Sequence, residues 1–161
     1  MSDFQDHLST IEDILVREFR ICQMLYSITK DEQRSLSKDD INKLASITEQ
    51  KESILDKMNQ LEENLRLTIS ELAQIIDLPK RTTSLAEILS AFDDEYTERL
   101  KRLREGIMAL LGVIRNLTYG NQALATNGIK QIDAVQAFLL DIFHLLINYD
   151  QPGKAENHLS A

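Results

Sequence analysis

Apolar residues recur at alternating steps of four and three along nearly the whole chain. The longest such pattern runs from Tyr96 to Tyr149, and no proline interrupts it. This spacing places one apolar stripe along one side of an α-helix. A single straight helix of that length would extend about 80 Å, and it could bury its stripe only against other helices. We therefore predict that this segment is the element around which the other helices pack.

Two shorter stripes precede it. The first predicts a helix from about residue 3 to about residue 34, and the second predicts a helix that has Ser37 as its N-cap and ends before Pro79. Together the three stripes predict an all-α fold. We expect an elongated antiparallel bundle of three to four long helices with coiled-coil-like packing.

Two places interrupt the helical pattern. Ser84 begins a capping-box sequence, and the residues after it form either a short separate helix or a direct extension into the Tyr96 segment. Between Thr118 and Gln131, glycine and polar residues replace apolar ones in the stripe, which favours a kink or hinge there. We predict one helical-bundle domain over residues 1-149 and a flexible tail over residues 150-161.

Several charged residues fall on or beside the stripes. Glu18 lies within the first stripe, and we expect it at a solvated edge because lone charges are rarely buried. The charged residues of the second helix are expected on a solvated face: Glu49, Lys51, Glu52, Asp56, Lys57, Glu62 and Glu63.

The composition narrows the class of protein. Among 161 residues, 43% are hydrophobic and 27% charged, which is ordinary for a soluble chain, and the few Gly and Pro favour helices over β-architectures. A net charge of −8 argues against general binding of nucleic acid. No apolar run is long enough to span a bilayer, and the acidic N-terminus does not resemble a secretory signal. We therefore expect a cytoplasmic protein.

No group of residues predicts catalysis or metal binding. Asp141 and His144 share a helix face, but no second pair exists to complete a metal site. Cys22 lies on an apolar stripe and is expected to be a small core residue. Glu95 and its acidic neighbours are expected to neutralise the basic cluster of residues 99–104. We therefore expect neither enzymatic activity nor a cofactor.

The carboxyl-terminal end of the longest pattern is unusually apolar, with nine apolar residues among residues 138–149. It either packs entirely within the bundle or stays partly open as a surface for an amphipathic helix of a partner. A structural coiled-coil module that self-associates through the same surface is the alternative function, and the oligomeric state stays open. The candidate binding residues are Val135, Phe138, Leu139, Leu140, Ile142, Phe143, Leu146 and Ile147.

Three stretches resemble the helices of the FlgN family of bacterial flagellar export chaperones. The first is residues 8–36, with Glu18 inside an apolar ladder. The second runs from Asp40 to Glu62 and has the pair Lys51-Glu52 before its leucine ladder. The third is the C-terminal helix, which contains Asn121 within its stripe.

The resemblance implies a cytoplasmic chaperone of the flagellar type III export system. Its clients are the hook-associated proteins of the hook–filament junction, whose C-terminal segments the family binds with its own C-terminal helical region. Binding keeps the client from assembling early and delivers it to the export gate. Tyr149, shortly before Pro152-Gly153, loosely resembles a tyrosine with which some members dock on that gate.

Overall fold

The computed structural model describes residues 2–78, 84–125 and 129–146, and these residues form five α-helices without a strand. The prediction of an all-α helical bundle is confirmed. The helices are α1 (Ser2–Ser37), α2 (Ile41–Ile75), α3 (Leu85–Ser90), α4 (Glu95–Leu124) and α5 (Ile129–Leu146). The predicted tail, residues 150–161, lies outside the described ranges.

The first two helices form an antiparallel hairpin. Two ion pairs fix their register: His7 Nε2 lies 2.8 Å from a carboxylate oxygen of Glu71 at one end, and Lys51 Nζ lies 2.8 Å from Glu32 Oε1 at the other. The turn lies about three residues later than predicted, because α1 includes Ser37. Asp40, whose side chain accepts from the backbone N–H of Lys43, is the N-cap of α2 instead.

The third long helix, α4, runs in the same direction as α1. Near its start Arg99 pairs with Glu12 at 3.0 Å, and near its end Asn121 Nδ2 donates to the backbone carbonyl of Thr29 at 3.1 Å. The four long helices therefore run up, down, up and down, and each is antiparallel to the one before it.

Short-range capping separates α3 from α4. The Ser84 side chain accepts from the backbone N–H of Glu87, as the capping-box sequence predicts, so a separate helix begins there. Asp94 and Thr97 then form a reciprocal capping box that starts α4. All three large apolar residues of α3 are buried, so this helix closes the end of the bundle near the start of α4.

The predicted helix from Tyr96 to Tyr149 is two helices, so that prediction is wrong in its length. α4 ends at Leu124, and Ala125 has an extended backbone. Residues 126–128 lie outside the described ranges. The low helix propensity of Gly120 and its neighbours makes a break inexpensive, and folding back lets α5 bury a stripe that one straight rod would leave exposed.

In the fold-back arrangement, α5 packs against α4, α2 and α3, and its described Cα atoms stay more than 8 Å from those of α1. One core joins buried apolar side chains from all five helices. Within the described ranges, none of the helices has the length and hydropathy that crossing a membrane requires.

Candidate protein-interaction surface

The predicted binding residues lie on α5, and the structure buries most of those it describes. The buried side chains are at most 6% exposed and belong to the common core. Their spacing places them on one face of α5, which packs toward the bundle. The buried stripe of α5 consists of Phe138, Leu139, Ile142 and Leu146.

Two other predicted residues lie at the edge of this stripe. Leu140 and Phe143 are half-buried, so part of each side chain is accessible to a partner. The side chain of Val135, and the whole of Ile147 and Tyr149, lie outside the described residues. The α5 surface is therefore neither fully open nor fully enclosed.

Two arginines of α4 hold α5 in place. Arg104 Nη1 donates a hydrogen bond of 3.0 Å to the backbone carbonyl of Leu146, one of the C-terminal carbonyls that a helix leaves unpaired. The Arg115 guanidinium lies 5.7 Å from the centroid of the Phe143 ring, within the range of a cation–π contact. Arg104 and Arg115 lie about three helical turns apart and so share one face of α4.

Behind this surface lies a buried carboxyl group on α1. Glu18 is 1% exposed, and neither of its carboxylate oxygens has a hydrogen-bond partner among the described residues. Burial raises its pKa to about 8, and the nearby charge of Glu62 on α2 adds to the shift. The prediction that Glu18 lies at a solvated edge is therefore wrong: the helices on either side enclose its stripe position, and the proton it retains at neutral pH lowers the cost of burial.

Glu62 connects this buried carboxyl group to α5. It is 5% exposed and accepts a hydrogen bond of 2.8 Å from Arg66 Nη2, so its predicted place on a solvated face is wrong. Burial is the largest cause that raises its pKa, and the charge of Asp141 on α5 is the next. The buried Glu62 is thus influenced by the exposed Asp141 of α5 and itself influences the buried Glu18 of α1.

The Glu18 carboxyl predicts a pH-dependent stability. Between about pH 4.5 and about pH 8 the unfolded chain has lost this proton while the folded chain retains it, so stability falls as the pH rises. As the pH rises through this range, we expect the unfolding free energy of the wild type to fall more steeply than that of Glu18→Gln. The two slopes should differ by about 1 kcal/mol per pH unit. Urea titrations followed by circular dichroism at several pH values measure both slopes, and equal slopes contradict the prediction.

A second polar group is buried where α1, α2 and α4 meet. Lys51 and Asn121 are at most 1% exposed, and both bind Glu32 Oε1, each at 2.8 Å. Lys51 therefore does not lie on a solvated face as predicted. Its ion pair with Glu32 lets it occupy a stripe position within the core.

The described residues give little support for a nucleophilic or metal-binding site. Cys22 is fully buried, which confirms its predicted place in the core, and burial raises the pKa of its thiol to about 12. A thiol with so high a pKa is a poor nucleophile at neutral pH. Within the described ranges, no group of three or more His, Cys, Asp or Glu side chains could hold a metal ion.

A family model described as FlgN protein matches residues 1–157, nearly the whole chain. The chain belongs to the FlgN family. No curated protein and no solved structure matches it. Membership of the FlgN family implies a role as a flagellar export chaperone with flagellar proteins as partners.

Sequence reasoning missed the contacts that hold α5 in this FlgN protein. The basic cluster was predicted to be neutralised within its own helix, but only Lys101 pairs locally, with Glu98 at 2.8 Å. Arg99 reaches α1, and Arg104 reaches the end of α5. The available signal was position: Arg104 follows the fully buried Leu100 by one turn and so lies beside the apolar stripe.

Proposed function

We propose that this FlgN protein is a cytoplasmic chaperone for the hook-associated proteins of the hook–filament junction. It binds their C-terminal helical segment, prevents premature assembly and delivers them to the flagellar type III export apparatus. Family membership supports the chaperone role. The observation that carries the proposed site is α5, which is more apolar than α1, α2 or α4 and leaves Leu140 and Phe143 only half-buried at its edge.

The proposed binding proceeds through α5. An amphipathic client helix first packs on the edge formed by Leu140 and Phe143. It then takes over the buried stripe of α5 as that helix moves away from α4. The absence of close backbone packing between α5 and α1 favours such a movement, because the hairpin of α1 and α2 can stay intact. The proposed client-binding residues also include Val135 of α5 and Ile147, which directly follows α5 in the sequence.

The energetics set a condition on the client. Exposing a large apolar side chain costs about 2 kcal/mol, so release of the buried stripe costs several times that amount. A client stripe that covers the same side chains returns this free energy. Only a client with an apolar face of similar length can therefore displace α5 from its own bundle, which gives the site a basis for selecting long amphipathic helices.

Substitution of Phe143 by aspartate tests the proposed site. Arg115 lies beside this position and can partly neutralise the new carboxylate, so we expect the helix content to remain. A charge at the contact edge is expected to weaken binding of the client C-terminal segment by about thirtyfold or more, as for other interface hot spots. Isothermal titration with a hook-associated protein segment from the same genome measures the affinity, and circular dichroism measures the helicity.

Ser27→Asp is the control. Ser27 is exposed on α1, whose described Cα atoms stay more than 8 Å from those of α5, so the same added charge is expected to change the affinity by no more than about twofold. Equal binding by Phe143→Asp and the wild type rejects the site. Loss of helicity together with binding places Phe143 in the core and also rejects it. An oligomer that buries this surface and ignores the client favours the self-association module instead.

We also propose that Tyr149 contributes to docking on the export gate. The support is the loose resemblance of residues 149–153 to the docking segment of some family members. This segment follows closely in sequence on Leu146, the last described residue of α5, whose backbone carbonyl accepts a hydrogen bond from Arg104. Client binding and gate docking would then use adjacent parts of the chain.

A further inference from the structure

A groove on the outer side of the α1/α2 hairpin carries three cations in an acidic chain. Arg17 and Arg20 line it from α1, and Lys57 lines it from α2. The half-buried Ile21 and the buried Leu61 supply its apolar lining. Its volume is about 350 Å³, and no acidic side chain among the described residues lines it. We call this the α1/α2 groove.

The three cations of the α1/α2 groove stand apart from the other charges. None of them forms an ion pair with another described residue, although the whole chain has a net charge of −8. All three are exposed, and they are brought to one opening by two different helices. Like charges around one opening repel one another, so this arrangement does not stabilise the bundle. A ligand that supplies negative charge removes that repulsion.

The apolar lining indicates what kind of ligand fits. Met24 follows Ile21 by about one helical turn and is 48% exposed, which extends the apolar strip along α1 beyond the groove. A free anion would gain nothing from Ile21, Leu61 and Met24. A polyanion such as nucleic acid would meet the repulsion of the acidic chain as a whole. Apolar lining with cations on both walls complements a helix whose apolar stripe is flanked by carboxylates.

We propose that the α1/α2 groove is a second docking site, which takes an acidic amphipathic helix of a partner protein. The side chains that the structure describes around the groove all come from α1 and α2, and none comes from α4 or α5. It is therefore separate from the α5 surface and can be occupied while α5 is docked or displaced. The site gives the hairpin a binding role that does not depend on the identity of the client.

A synthetic peptide of about 20 residues tests the proposal, because a helix of this length can form on binding. Its leucines follow helical spacing and are flanked by glutamates. Fluorescence anisotropy with the full chain measures its affinity. We expect saturable binding that weakens as salt increases. Arg17→Glu combined with Arg20→Glu should weaken binding by about tenfold or more, and Lys57→Glu on the facing wall should weaken it in the same direction.

The control combines Lys38→Glu with Lys43→Glu. Both lysines are exposed outside the groove, and this double variant changes the net charge by the same amount as the double arginine variant. It should change the affinity by no more than about twofold. An equal loss in both double variants would show that only net charge matters and would overturn the proposal.

Three other outcomes also overturn it. Equal binding of a shuffled peptide of the same composition would assign the groove to polyanions in general. The absence of saturable binding would show that the groove does not bind an acidic amphipathic helix. A concentration-dependent dimer of the wild type that the double arginine variant abolishes would make a second copy of this chain the occupant.

Discussion

Replacement of Lys51 by alanine is expected to lower the free energy of unfolding by about 3 kcal/mol. The Lys51 ammonium lies 2.8 Å from Glu32 Oε1 and is almost fully buried. Its loss leaves Glu32, whose side chain is 12% exposed, with the Asn121 amide as its remaining polar partner. A buried carboxylate that has lost its cation strongly destabilises the folded state. By contrast, an intact buried ion pair adds little stability relative to a pair of apolar residues of similar volume. Urea denaturation followed by circular dichroism measures the change.

Two further variants separate this cause from a general loss of helix stability. Lys43→Ala removes an exposed lysine from the same helix and should change stability by no more than about 0.5 kcal/mol. The double variant Lys51→Met with Glu32→Leu replaces both charges by apolar groups and should lie close to the wild type or above it. If Lys51→Ala is as stable as Lys43→Ala, the buried pair does not have the assigned role.

Replacement of Leu139 by aspartate is expected to release α5 from the bundle. Leu139 is 0% exposed, and an ionised carboxylate among its apolar neighbours costs about 3 kcal/mol or more. Because α5 packs on α4, α2 and α3 without approaching α1, the loss should be local. Hydrogen exchange followed by mass spectrometry should show rapid exchange in residues 137–146, while α1 and α2 keep their protection.

Ala137→Asp is the control for this variant, since it adds the same charge to the exposed side of α5 and should preserve the protection of that helix. Continued protection of α5 in Leu139→Asp would contradict the buried position of Leu139. Simultaneous loss of protection in α1 would show that α5 does not open as an independent unit. Either result would also remove the physical basis for the movement proposed for client binding.

The sequence predicted helix content and the packing faces well because both depend on local spacing. Ile11 and Leu15 keep strict helical periodicity, and both are fully buried. The cap at Ser84 was also readable, because a side-chain hydrogen bond to a nearby backbone N–H needs no tertiary information.

Charged residues within the stripes were placed incorrectly because their burial depends on partners distant in sequence. Lys51 is buried because Glu32 of α1 faces it, and Glu18 is buried because neighbouring helices enclose its position, which raises its pKa to about 8. Neither environment is visible to a pattern that considers one helix at a time. A charge that replaces an apolar residue at a stripe centre should therefore be considered for burial together with polar residues on the facing stripes.

The break between α4 and α5 has the same origin. Helical spacing continues through Asn121 and beyond, so periodicity alone cannot distinguish one rod from two antiparallel helices. The decision depends on whether folding back buries more apolar surface than a straight extension. The apolar end of α5 favours folding back, but it is only part of the cause. Contacts of Arg104 and Arg115 with α5 also stabilise the folded-back position.

The short connection after α4 restricts how far a displaced α5 can travel. Ala125 and Ile129 are separated by four residue steps, which span at most about 14 Å when fully extended. A released helix on such a tether remains near its own docking site at a local concentration in the millimolar range or above. A client must therefore compete with a helix that is already held beside its docking site. After the client leaves, α5 returns quickly to α4, and no other protein is needed to restore the closed form.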